Sequence, residues 1–137
     1  MILFKQCYMH KGYLKTAALL GALSVVLGAF GAHGLKKLVP AETVSTFETG
    51  VRYQFYHVFA LLVVAILFST YSQRWLKNAA ICFITGIILF SGSLYVLTAL
   101  QATDTVGLTG IGAITPIGGV FFIAGWLCMF RALVAGK

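Results

Sequence analysis

Apolar residues run along this chain in four long stretches separated by short polar breaks. Between consecutive formal charges lie uncharged windows at 16–35, 53–73, 78–103 and 105–130, of 20, 21, 26 and 26 residues. At about 1.5 Å of rise per helical residue, each window supplies the roughly 30 Å that a hydrocarbon core demands. The pattern predicts an all-α membrane protein, a four-transmembrane-helix bundle with helices at about 14–33, 53–72, 78–100 and 116–135. Residues 1–13 then form a cytoplasmic N-terminal segment ahead of a single transmembrane domain, 14–137. Basic residues before the first window and Ala32-His33-Gly34 behind it could pass for a secretory signal and its cleavage site. A signal core is only about 7 to 15 residues long, however, and the stretch from Leu14 to Ala32 exceeds that.

Within the windows, small residues recur at helical spacing. Ala17, Gly21, Ser24, Gly28 and Gly31 follow one another every three or four positions and form one stripe, on which helices in lipid approach closely. Gly86 and Ser93 make a second seam, Gly118 and Gly125 a third, and Ser91, Tyr95 and Thr98 a weakly polar stripe facing one neighbour. Three such seams are more than one compact bundle needs, so one of them is expected to face another chain. Thr115-Pro116 reads as the start of the fourth helix, with a capping hydroxyl and proline at the first helical position. Trp126 and Arg131 close that helix towards the cytoplasmic interface.

The first loop is the most polar segment. Val39-Pro40-Ala41-Glu42 reads as a helix start, after which Val44, Phe47, Val51 and Phe55 repeat every three or four positions. Glu48 and Arg52 are an i, i+4 pair in the favourable order on another face. This segment is expected to be an interfacial amphipathic helix, lying on the outer membrane surface, apolar side down, before turning or running on into the second span. The third loop, 103–114, is rich in glycine and has no phosphate-binding spacing.

Composition narrows the function classes. Of 137 residues, 60% are hydrophobic and 9% charged, with a mean hydropathy of +0.95. A soluble domain is about a quarter charged, so a soluble enzyme is excluded. The net charge of +7 comes from ten basic residues against Glu42, Glu48 and Asp104, with no polar domain to carry a nucleic-acid patch. It sets orientation instead. Four crossings put Lys5, Lys11, Lys15, Arg74, Lys77, Arg131 and Lys137 on one side and Lys36, Lys37 and Arg52 on the other. The positive-inside rule then places both termini in the cytoplasm of a bacterial inner membrane. Cys7, Cys82 and Cys128 fall on that reducing side and are read as small apolar side chains without a disulfide.

The candidate chemistry lies at the start of the second window. Tyr53-Gln54-Phe55-Tyr56-His57 suits an interfacial aromatic belt, and Tyr53 and His57 share a helix face. His33, at the end of the first helix, is expected at nearly the same depth. Two histidines at one level can ligate a haem iron or a metal, or relay protons, with Glu48, Arg52, Tyr53 and Tyr56 around them. Two ligands do not complete a zinc site, and no CxxCH haem motif is present. Nor do three acids at these positions assemble a hydrolytic triad or a carboxylate pair.

Two readings follow. In the first, the chain is a non-enzymatic integral membrane protein without a cofactor, packing in the lipid bilayer with itself or another membrane protein. In the second, it handles electrons or protons through His33 and His57; small-solute transport is a weaker third.

Taken together, Gly28-Ala29-Phe30-Gly31-Ala32-His33-Gly34, the run from Phe47 to His57, the Phe90-Ser91-Gly92-Ser93-Leu94-Tyr95 core and Thr115-Pro116-Ile117-Gly118-Gly119 before Gly125-Trp126 resemble the YgdD/YwdK-like family. Its members are small bacterial inner-membrane proteins of unknown function, with relatives among small eukaryotic transmembrane proteins. The resemblance covers Gly12 to Ala132 and implies a four-helix integral membrane protein. It implies no activity, substrate, cofactor or catalytic residue.

Overall fold

In the computed structural model, residues 9–103 and 109–136 are described. Lys5, Cys7, Asp104, Lys137 and the loop through Leu108 lie outside them. Five α-helices make four long rods: α1 (Lys11–His33), α2 (Ala41–Leu67), α3 (Gln73–Gly86), α4 (Gly92–Ala102) and α5 (Ile114–Ala135). A π-helical turn, Ile87–Ser91, joins α3 to α4 without a break, so the two form one span. Each rod is long and apolar enough to cross a membrane.

Local chemistry sets the ends. His10 precedes α1, and its Nδ1 accepts from the Tyr13 amide at 3.2 Å, satisfying one of the first-turn donors. The same ring stacks on Tyr13 at 3.9 Å and meets Phe68 edge-on at 4.6 Å, while the His10 amide donates to the Ala65 carbonyl at 3.0 Å. The start of α1 is thereby tied to the end of α2. Pro40 stands extended at the head of α2 with Glu42 in the first turn, as the loop-one sequence predicts.

Two places differ from the sequence reading. Of the two courses open to the first-loop segment, residues 41–52 take the second and form no separate element. They run straight into the second span, because Val44, Phe47 and Gly50 turn inwards onto Leu35 and Tyr95. The second crossing therefore begins about a dozen residues before the window that starts at Tyr53. Thr115 caps no helix either. A 3-10 turn, Thr109–Ala113, leads directly into α5, and the Thr115 hydroxyl pairs with Ser93 Oγ at 2.6 Å across the bundle.

The rods pack as α1 on α2, and α3–α4 between α2 and α5, with the closest association between α3 and α5. The glycine seams are used inside the molecule. A Cβ on Gly21 would lie 3.4 Å from Val58, one on Gly28 3.7 Å from Val51, and one on Gly31 3.1 Å from the Phe47 ring. Gly86 receives the Phe122 ring, Gly118 the Phe90 backbone, and Gly125 the Phe83 ring. Ser24 returns its hydroxyl to the Leu20 carbonyl at 2.9 Å. Each seam thus receives a neighbour in the same bundle, and on α1 Ser24 and Gly28 also line an open groove. Cys82 and Cys128, both free and half-buried, also come side by side between α3 and α5.

Candidate functional site

Among the described residues, α2 carries the buried polar side chains Thr43, Gln54 and His57 together with Glu48, Arg52 and Tyr53, and its 3.6-residue turn sorts Glu48, Arg52, Tyr53 and His57 onto two faces. Tyr53 and His57 do share a face, directed at α3, the π turn and α5. His57 stacks on Phe122 with centroids 3.5 Å apart and planes 7° from parallel. Phe83 at 5.6 Å and Trp126 at 6.2 Å complete an aromatic layer, and Tyr53 stacks on Phe90 at 4.6 Å. Trp126 Nε1, a donor only, points at His57 Nε2 at 3.2 Å, so Nε2 accepts. The ring hydrogen then sits on Nδ1, which donates to the Tyr53 carbonyl at 2.7 Å. Both nitrogens of this buried imidazole are committed to structure.

His33 is elsewhere. It is exposed at the C-terminal end of α1, two residues past Gly31, which packs on Phe47. Ten residues of α2 separate Phe47 from His57, so the two histidines differ in depth by roughly 15 Å. The equal-depth pair is corrected: α1 and α2 run antiparallel with Gly21 opposite Val58, and the site it required is not assembled. Among the described residues no three His, Cys, Asp or Glu side chains converge. Tyr56 is exposed, 6.2 Å from the Tyr53 ring. The aromatic run is not an interfacial belt, since Phe90, the partner of Tyr53, lies at the centre of the window 78–103.

A residue the sequence did not single out holds the middle. Gln54 is 2% exposed; its Nε2 donates to the Leu20 carbonyl at 3.1 Å and its Oε1 accepts from Tyr95 at 3.0 Å. One amide so links α1, α2 and α4. Its partners lie 34 and 41 residues away, and only its polarity inside an apolar helix hinted at them. Ser91 and Thr98 are buried on the same side of the α3–α4 rod as Tyr95, and the Ser93 pair with Thr115 faces α5.

Glu48 and Arg52 occupy the opposite face of α2. With Ser24, Val25, Gly28, Val51 and Phe55 they line an open groove of about 390 Å³ between α1 and α2. A second hollow of about 370 Å³ adjoins it, with Lys36, Ser45 and Glu48 among its lining residues. Glu48 is half-buried and Arg52 exposed, and among the described residues neither forms an ion pair within 4.0 Å. Their depth is the unexpected feature. Tyr53 stacks on Phe90, and the Phe90 backbone packs on Gly118, so Arg52 is level with the middle of the windows 78–103 and 105–130. Arginine at the centre of a membrane helix costs about 2.5–3.5 kcal/mol on insertion scales, and a charge held there calls for a counter-charge. The six candidate side chains are thus divided: Glu48 and Arg52 in the groove, Tyr53 and His57 in the aromatic layer, Tyr56 on the surface, and His33 at the far end of α1.

Comparison with known proteins fits this architecture. Residues 27–119 match the family described as Protein of unknown function (DUF423). The chain belongs to the DUF423 family. It is 42% identical to the UPF0382 membrane protein YwdK of Bacillus subtilis, covering 88% of this chain and 98% of that protein. A UPF0382 membrane protein of Haemophilus influenzae is 40% identical, covering 88% and 92% of the two chains. The UPF0382 inner membrane protein YgdD of Escherichia coli is 39% identical over 88% of each. No solved structure matches the chain. As a DUF423 protein it is a membrane protein in a lipid bilayer, and the apolar side chains left bare on α1 (Leu19, Leu23, Val26, Phe30) and α5 (Val120, Ile123, Leu127, Phe130) meet acyl chains.

Proposed function

We propose that this DUF423 protein is a non-enzymatic, multi-pass protein of the bacterial inner membrane that works by association, with a copy of itself or with another membrane protein, through the α1 side of the bundle. The observation that carries the reading is the groove between α1 and α2, where the Arg52 guanidinium, level with the middle of the spans, and the Glu48 carboxylate, one turn nearer the α2 N-terminus, stand open to the outside. A lone bundle has no use for charge at that depth, whereas a helix laid over the groove would give it partners and exclude lipid from it. α1 is also the least covered of the four spans. Both termini face the cytoplasm in this reading, with Lys11, Lys15, Arg74, Lys77 and Arg131 at that end.

The test is the mass of the protein extracted in lipid nanodiscs directly from membranes at native expression level. A discrete assembly larger than one chain, of one or two kinds of subunit, is expected. A single chain in every disc, with no co-purifying protein, overturns the reading.

A further inference from the structure

We infer that the groove between α1 and α2 is closed by a second copy of this chain, in a two-fold dimer whose central contacts are reciprocal pairs between Glu48 of one copy and Arg52 of the other. This rests on the association proposed above and names the partner.

Charge complementarity selects that occupant. The groove presents one acid and one base on the same wall, one helical turn apart, with an apolar rim of Val25 and Phe55 and a floor of Ser24 and Gly28. A two-fold axis along the membrane normal keeps equal depths equal, so Glu48 faces Glu48 and Arg52 faces Arg52 across the axis. Each Arg52 then has the partner's carboxylate one turn nearer the α2 N-terminus. Side chains on a helix lean towards its N-terminus, so both guanidinium groups lean towards the opposite carboxylates. One interface pairs four charges within the apolar spans, with Arg52 near their middle and Glu48 one turn nearer the α2 N-terminus, and an isologous interface is the commonest way for identical chains to meet. The small floor residues admit close approach of the partner's rim.

A heterologous protein needs its own acid and base at matching depths, and this chain already holds both. A bound phospholipid satisfies the charges less well. Its headgroup belongs at the interface, while Arg52 is level with the bundle centre.

The decisive experiment is charge exchange between two differently tagged copies co-expressed in bacterial membranes and recovered through one tag. Wild-type copies are expected to recover each other. Glu48→Arg with itself places two bases at each contact and Arg52→Glu with itself places two acids, so recovery is expected to fall about tenfold in both, since opposed like charges cost more than a factor of ten in affinity. Glu48→Arg mixed with Arg52→Glu restores one acid opposite one base at both contacts, and recovery is expected to return to the wild-type level. No effect confined to one chain produces that rescue, because each variant alone has lost its complement.

A second measurement avoids charged substitutions. In a chain lacking Cys7, Cys82 and Cys128, Val25→Cys is expected to cross-link to its symmetry mate in membranes, and Val134→Cys on the bare face of α5 is not. If wild-type copies fail to associate, the proposed function and this dimer fall together. If wild-type copies associate but the mixed charge pair recovers no better than either variant with itself, or Val134→Cys cross-links in place of Val25→Cys, the dimer through this groove is overturned while association by another face stands. A monomeric wild type that carries phospholipid lost on Arg52→Glu assigns the groove to lipid and overturns the dimer.

Discussion

Single side chains in this bundle divide into those that fill glycine notches and those that use up polar groups. Phe83 and Phe122 do the first with their rings, each set against a glycine of the facing helix, while Gly118 takes the Phe90 backbone. The sequence carried the stripes clearly, because spacing of three and four is a property of one helix. It did not carry their direction, since whether a notch receives a residue from the same chain depends on a neighbour tens of positions away. Gln54 was illegible for the same reason, as were the contacts of His57 with Trp126. The notches are testable. A Cβ at Gly125 would come within 2.6 Å of the Phe83 ring, whereas nothing lies within 4 Å of one at Gly92. Gly125→Ala is expected to destabilise the bundle by about 1–3 kcal/mol through overpacking, and Gly92→Ala to stabilise it by up to about 1 kcal/mol through helix propensity. Unfolding in mixed micelles measures both. Equal effects would mean that Gly125 and Phe83 do not meet as described.

Among the elements, α2 is where reading by charge misleads. Windows bounded by charges mark where charge is absent, and on that criterion the second span starts at Tyr53. Residues 48 and 52 lie only about 40° apart around a helix, so both fit in one narrow groove while the rest of the turn is apolar enough to pack. The apolar repeat Val44, Phe47, Val51 was legible, and its burial against the bundle rather than on a surface is the part that required the neighbours. The third span differs in another way. Its π turn holds one residue more than an α-turn would, and Ile88, within it, is 65% exposed. Deleting Ile88 is expected to let Ile87–Ser91 close into α-helix with the buried faces of α3 and α4 still aligned, changing stability by no more than about 0.5 kcal/mol. Deleting Ile81, in regular α-helix, rotates the preceding turns by about 100° and swings Leu76, Ala79 and Ala80 out of the core. Its folded yield is expected to collapse. The comparison is read from monodisperse protein recovered in detergent, and tolerance of both deletions would argue against a π turn at this place.

At the scale of the whole molecule, moving Arg52 from the first loop into the bundle sharpens the charge asymmetry between the two ends. Lys11, Lys15, Arg74, Lys77 and Arg131 cluster at the end carrying the α2–α3 turn, and Lys36 and Lys37 are the described basic residues at the other. Each basic group near an anionic leaflet contributes about 1 kcal/mol, so the difference of three favours one insertion strongly over its inverse. A dimer with its axis along the membrane normal also requires every copy to point the same way. Orientation is therefore open to a direct test with thiols at the two turns, in a chain lacking its native cysteines. Leu38→Cys, 64% exposed beside Lys37, is expected to react with a membrane-impermeant maleimide on intact spheroplasts. Thr70→Cys, exposed between α2 and α3, is expected to react only after lysis. The opposite pattern would invert the topology. Half-reaction of both thiols would mean mixed insertion, and only copies inserted the same way could then pair Glu48 with Arg52 at equal depth.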